Sequence, residues 1–325
     1  MYNQTEAVLS QYELEIRQIT KGRGTYICDT DKGMKLLVPF RGSKERGEWL
    51  KRYLEKISEA GFAVEQIYPN KNIEAVTEDE VTGERFLLKD RIAETELNTA
   101  HFGEMLEAVE MLAEYHLAAE NVMPEERDAS MFYDAVNTRV RHYKELIKVR
   151  NYIRNRKKKM EFERLYMEHC PQMLLVGQRS IEILEKQEEG SVNAIVCHGD
   201  CNQHNIVWTN EGWKLIHFEN AVYGWAVWDL ANYLRKMLEK NGWDEELGME
   251  MVRAYDKVRA LGKNGYLQLY ALLLFPEKFW KVTNHYMNSN KAWIPARDIE
   301  KLEKVIAQEP KRLKFAENLF SNLIE

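Results

Sequence analysis

The sequence predicts an α+β chain in two parts, a small antiparallel-sheet N-lobe and a large, mainly helical C-lobe. Three observations carry this. Period-two alternation and turn clusters concentrate in the first ninety or so residues. Helical periodicity dominates from Phe102 onward. A single strand, polar loop, strand pattern interrupts the helices near residues 194–216. The boundary falls near residue 92, giving an N-lobe over 1–92 and a C-lobe over 93–325.

In the first part, Tyr12-Glu13-Leu14-Glu15-Ile16 alternates as a half-buried strand does. Thr25-Tyr26-Ile27-Cys28 reads as a second strand, the turn cluster Asp29–Gly33 follows, and Met34–Phe40 reads as a third. Ser43 is placed to cap a helix that runs to about Ala60, with Trp49, Leu50, Tyr53, Leu54 and Ile57 on one stripe and Gly61 at its end. A strand pair, Glu74–Val76 and Arg85–Leu88, flanks the turn residues Asp79–Gly83. In the second part, Phe102–Ala119 is helical along Met105, Leu106, Val109, Leu112 and His116 or Leu117. The basic run Arg150–Lys159 reads as a solvated helix face. Ala194–Cys197, Ile206–Trp208 and Trp213–Ile216 read as short strands around a polar loop.

Composition narrows the function. Over 325 residues, 45% are hydrophobic and 30% charged, as in an ordinary globular protein. The net charge of -6 argues against nucleic acid as a partner, since phosphate binding draws on excess Lys and Arg. No apolar run approaches the ~20 residues that a membrane-spanning helix requires. Met1–Glu6 lacks the basic-then-apolar pattern of a secretory signal, so cytoplasmic synthesis is expected. Cys28, Cys170, Cys197 and Cys201 lack zinc-site spacing and read as reduced thiols.

The stretch with most chemical content is Val196-Cys197-His198-Gly199-Asp200-Cys201-Asn202-Gln203-His204-Asn205-Ile206-Val207. His-Gly-Asp, four residues, then Asn, between two apolar strands, resembles the catalytic loop of the aminoglycoside and choline phosphotransferases. That resemblance implies the bilobal protein kinase-like fold. It places Asp200 as the base for a substrate hydroxyl, with His198 beside it and Gly199 as a structural residue. It places Asn205 on a magnesium ion at the nucleotide phosphates. The alternative is a polar turn whose Asp and Asn satisfy backbone groups. Downstream, His217 stands where the family carries its second metal aspartate, and Glu219 is the nearby carboxylate that could compensate. Magnesium prefers oxygen ligands, which makes the imidazole a poor substitute. Gly224 and Asp229 keep the places of a later family motif, where Asp229 is structural. The family's phosphate lysine falls on Val38; Lys35, an odd number of residues away, should point to the opposite strand face. Glu45 or Glu48 could hold the lysine's usual partner position, and Gly22-Arg23-Gly24 is a weak echo of a phosphate loop.

Phe40-Arg41-Gly42-Ser43, Leu234-Arg235-Lys236-Met237-Leu238-Glu239-Lys240-Asn241-Gly242-Trp243 and Phe275-Pro276-Glu277-Lys278-Phe279-Trp280-Lys281 add a narrower resemblance, to the spore coat protein S (CotS) family of endospore-forming bacteria. It continues through Asn284–Tyr286 and Asn288–Trp293. Membership implies sporulation, assembly on the spore coat and other coat proteins as partners. With Val38 and His217 in place of the lysine and the metal carboxylate, the reading is a degenerate kinase, a pseudokinase with a scaffolding role and no cofactor. The alternative is an active ATP- and magnesium-dependent small-molecule phosphotransferase that uses Asp200, Asn205 and Glu219. Trp280, Tyr286 and Trp293 are expected in the C-terminal core, the alternative being a partner surface.

Overall fold

A computed structural model of the chain describes residues 2–22, 24–92, 95–122, 131–188, 194–289 and 296–321. It begins with a helix, α1 (Tyr2–Leu9), that strand alternation does not reveal. The strand expected over Tyr12–Ile16 starts only at Ile16, as β1 (Ile16–Lys21). Val8 and Tyr12 are four residues apart, and both are buried in a cluster with Leu9, Cys28, Leu37, Phe86 and Leu88. Val8 and Leu9 close the helix and Tyr12 lies in the turn after it, where the Thr77 hydroxyl donates to the Tyr12 hydroxyl at 2.8 Å.

The strands β2 (Tyr26–Thr30) and β3 (Gly33–Pro39) follow, then helix α2 (Lys44–Glu59). Ser43 caps α2 as expected, its side chain accepting from the Arg46 amide. Next come β4 (Ile67–Tyr68), β5 (Val76–Glu78) and β6 (Arg85–Asp90). Hydrogen bonding orders the sheet β1-β2-β3-β6-β4, with β5 also on β6, all antiparallel. Register sets the faces. Leu37 pairs with Leu88 on the face covered by α1, whereas Leu36 pairs with Lys89 and Val38 with Leu87 on the other. Gly47 of α2 approaches so closely that a Cβ would lie 2.1 Å from the Val76 side chain.

Beyond β7 (Thr95–Glu96) the chain is helical: α3 (Phe102–Glu120), α4 (Ala135–Arg154) and the long α5 (Glu161–Glu188). The strands β8 (Ile195–Cys197), β9 (Ile206–Thr209), β10 (Gly212–Leu215) and β11 (Val222–Gly224) then interrupt the helices where the sequence places strands. Helices α6 (Ala226–Lys240), α7 (Glu245–Val258), α8 (Gly262–Leu274), α9 (Glu277–Asn288) and α10 (Ala296–Ser321) complete the chain.

Two compact units divide it. The first holds residues 1–97, 111–131 and 198–222; the second holds 98–110, 132–197 and 223–325. In the first, β10-β9-β7 form a small sheet apart from the larger one. In the second, α4, α5, α9 and α10 pack around Leu146, Ile153, Phe162, Tyr166, Phe279 and Leu302. Trp280 and Tyr286 pack against this core as expected, Trp280 stacking on His142 and Tyr286 on Phe162. Trp293 lies outside the described residues. Arg154, Lys157 and Lys158 of the basic run are exposed, but α4 ends at Arg154, so Lys157 and Lys158 lie in the bend after the helix and not on a helix face. All four cysteines are buried and none is in a disulfide. Among the described residues no helix is long and apolar enough to cross a membrane.

Candidate functional site

The polar loop between β8 and β9 is built on its own backbone. His198 is fully buried. Its Nε2–H donates to the Ile216 carbonyl at 2.8 Å, and Nδ1 accepts the Asp200 amide at 3.2 Å. A carbonyl can only accept, so the proton sits on Nε2. His198, expected with the catalytic group, therefore shapes the loop and does not face a substrate. Gly199 has a φ of 84°, and a Cβ there would lie 2.1 Å from the Asn220 carbonyl oxygen; only glycine fits. The Asn205 amide donates to the Asp200 carbonyl at 2.9 Å and to its carboxylate at 3.2 Å. Asp200 and Asn205 are thus brought together, as the sequence spacing implies.

Val38 lies on the same sheet face as Lys89, and no lysine occupies its position on β3. Lys35 points the other way: it pairs with Asp90 at 2.5 Å and lies over the Tyr68 ring. Glu48 accepts the Ala75 amide at 2.6 Å. A lysine on the sheet face of Val38 comes instead from β6.

That lysine is Lys89, with 2% of its side chain exposed. Its ammonium donates to Glu65 Oε1 at 2.8 Å, to His217 Nδ1 at 2.9 Å, and in a short contact to Glu219 Oε1. Glu65, 3% exposed, also accepts the amides of His217 at 2.7 Å and Phe218 at 3.2 Å. Those bonds hold His217 in the left-handed region at φ 69°, ψ 57°, sparsely populated by non-glycine residues. A single 3₁₀ turn, Phe218–Asn220, follows. The turn and the ammonium bring His217 and Glu219 together. Burial alone would raise the Glu219 carboxyl; the Lys89 ammonium, then His217, outweigh it and hold Glu219 well below the usual carboxylate range. Burial alone would lower Lys89, and the charges of Glu65 and Glu219 outweigh it and raise it.

Beside this cluster opens a cavity of about 670 Å³, lined among others by Val38, Arg46, Asp200, Asn205, His217 and Glu219. Gly24 reaches its wall; Arg23 is outside the described residues. Arg46 is turned toward backbone, donating to the Ala221 carbonyl at 2.8 Å and the Glu219 carbonyl at 3.4 Å. Glu65, His217 and Glu219 offer ligand atoms within 4.8 Å of one another, a spacing that suits a metal ion. The Lys89 ammonium contacts all three. Two cations cannot share that acidic site, so these residues do not fit magnesium in the arrangement seen.

Residues 15–272 match the phosphotransferase enzyme family. This chain belongs to that family. The kinase-like fold predicted from the loop and the strand order is the fold present. Spore coat protein S of Bacillus subtilis (strain 168) is 21% identical, over 96% of this chain and 92% of its own. The crystal structure of an aminoglycoside phosphotransferase from Alicyclobacillus acidocaldarius superposes with a TM-score of 0.83 at 19% identity, covering 98% of this chain and 96% of that one. An amicoumacin kinase, solved in complex with AMP-PNP and calcium, superposes with a TM-score of 0.63 at 15% identity, covering 97% and 93%.

Outside this unit, Asp229 of the family motif is fully buried in the first turn of α6. Burial pushes the Cys197 thiol well up, and the Asp229 charge adds to it. Sequence reasoning missed Lys89 and Glu65. The available signal was a lysine directly after the apolar run Phe86-Leu87-Leu88, two residues from Leu87 and so on its face of the strand.

Proposed function

We propose that this phosphotransferase-family chain serves the spore coat as a structural component and does not transfer phosphate. One observation carries the reading: the Lys89 ammonium is engaged by Glu65, Glu219 and His217. It neutralises both carboxylates that stand near His217, Glu65 and Glu219, and it is itself buried. A phosphoryl transfer site works by positioning and by neutralising phosphate charge. Losing one such preorganised group typically costs about 10²- to 10³-fold in rate. Here the β3 lysine is a valine and the metal aspartate is a histidine. The similarity to spore coat protein S supports the coat assignment, with other coat proteins as partners.

The test is transfer of labelled γ-phosphate from ATP with magnesium, to water or to a panel of amino alcohols and aminoglycosides. No transfer, and no magnesium-dependent rise in melting temperature with nucleotide, is expected. Fluorescent fusions should localise to the coat. Transfer that requires magnesium and is lost in Asp200→Asn would overturn the reading.

A second reading has its own support: the Asp200–Asn205 pair is held together next to a cavity of substrate size. It describes an ATP-dependent small-molecule phosphotransferase acting through Asp200, Asn205 and Glu219. It requires Glu219 to leave Lys89 when nucleotide and magnesium bind, and the same transfer assay decides between the two.

A further inference from the structure

The basic run Arg150–Lys159 belongs to the second unit and has no part in the site above. Residues 148–164 hold eight Lys and Arg against two Glu, in a chain whose net charge is -6. The rest of the chain is therefore strongly acidic, and this stretch is a local reversal of sign.

The fold uses part of that charge to build the bend between α4 and α5. The Arg156 guanidinium takes Glu163 in a short contact and lies over the Tyr152 ring at 5.9 Å. Glu163 is fully buried and also accepts the Met160 amide at 2.8 Å and the Tyr286 hydroxyl at 3.3 Å. Lys159 donates to the carbonyls of Arg156 at 3.1 Å and Arg154 at 3.5 Å, which serves the negative end of α4. These contacts fix the bend from within. Arg154, Lys157 and Lys158 take no part in them as side chains. All three are exposed, and among the described residues no carboxylate lies within 4.0 Å of any of them. Three like charges within five residues repel one another, and Glu163, the carboxylate built into the bend, is committed to Arg156. Two large side chains flank the bend in sequence and stay open to solvent, Tyr152 at 52% and Met160 at 43% exposure.

We propose that the α4–α5 bend is a docking surface for an acidic peptide segment of a partner protein, with Arg154, Lys157 and Lys158 pairing its carboxylates and Tyr152 and Met160 taking an apolar side chain beside them. Charge complementarity selects this occupant. A few carboxylates suffice for three cations held on a rigid bend. A nucleic acid carries a charge at every step, about 3.4 Å apart along each strand, and past the bend it would meet the acidic remainder of the chain. The surface is separate from the Asp200 loop, so it does not depend on whether the chain transfers phosphate.

Fluorescence polarisation tests it with a short fluorescein-labelled peptide of glutamates around one leucine. The glutamine counterpart of that peptide and a single-stranded oligonucleotide of equal charge are the comparisons. Saturable binding of the glutamate peptide, weakening as salt is raised, is the expected result. The combined variant Arg154→Gln, Lys157→Gln, Lys158→Gln should lower its affinity about tenfold with the melting temperature unchanged, because these side chains hold nothing inside the fold. The same loss of charge at Lys304, Lys311 and Lys314, exposed on α10, should lower it less than about twofold. Equal losses in the two triple variants, binding of the glutamine peptide as tight as that of the glutamate one, or tighter binding of the oligonucleotide than of the peptide would overturn the assignment.

Discussion

Replacing Lys89 by Met removes one charge and keeps most of the side-chain volume. Two carboxylates are then left facing each other, Glu65 at 3% and Glu219 at 20% exposure, with no cation between them. Breaking a buried ion pair by deleting one partner typically costs about 3–5 kcal/mol. At about 2–4 °C per kcal/mol for a large domain, the melting temperature should fall by roughly 6–20 °C. The pH dependence is more diagnostic than the size. In the native chain Glu219 is depressed, so its contribution is complete above the unfolded carboxylate value near 4.5 and is lost only as pH falls below it. Stability from this group should therefore be flat between pH 7.5 and 5. In Lys89→Met, burial and mutual repulsion raise the carboxyls above 4.5. The native state then binds more protons than the unfolded one, and stability falls as pH rises through the raised value. Acidification from pH 7.5 to 5 should recover part of the loss in the variant and none in the native chain. Calorimetry at the two pH values measures both. A drop under 2 °C, or a variant no more stable at pH 5 than at 7.5, would refute the placement of Lys89 as the internal counter-ion.

The metal site offers a complementary test. His217→Asp alone should give no magnesium-dependent shift in melting temperature, because Lys89 still occupies Glu219. His217→Asp combined with Lys89→Met should give one, read by thermal shift with and without EDTA. Gly199→Ala meets the Asn220 carbonyl at 2.1 Å and a left-handed backbone together. It should cost more than about 2 kcal/mol in urea unfolding, beyond the ~1–2 kcal/mol of the backbone preference alone. Ser43→Ala removes the α2 cap to the Arg46 amide and should cost about 1 kcal/mol by the same measurement.

Much of the architecture was legible because its signals are local. Ser43 caps within three residues, Gly61 adopts the positive φ that ends α2, and the β5–β6 turn lies within one short stretch. The Asp200–Asn205 pair was equally legible, being five residues apart in a single loop. The opening was misread because Val8 and Leu9 belong to a helix and Tyr12 to the turn after it, while Tyr12–Ile16 alternates as a strand does. His198 was assigned with the catalytic groups because contiguity cannot tell a side chain aimed at solvent from one bonded inward to Ile216.

Sequence alone pointed to the family, to a strand-rich part followed by a helical one, and to the absence of a lysine at Val38 and a carboxylate at residue 217. Those are properties of short segments, and short segments carry their own periodicity and turn chemistry. Tertiary structure decided what fills the gap. Lys89 meets Glu65 across 24 residues and Glu219 across 130, and only the pairing of β6 with β3 and β4 turns that lysine toward them. A register shift of one residue would send Lys89 to the opposite face, so the identity of the cation in this site is a fact about strand pairing and not about any local run of residues.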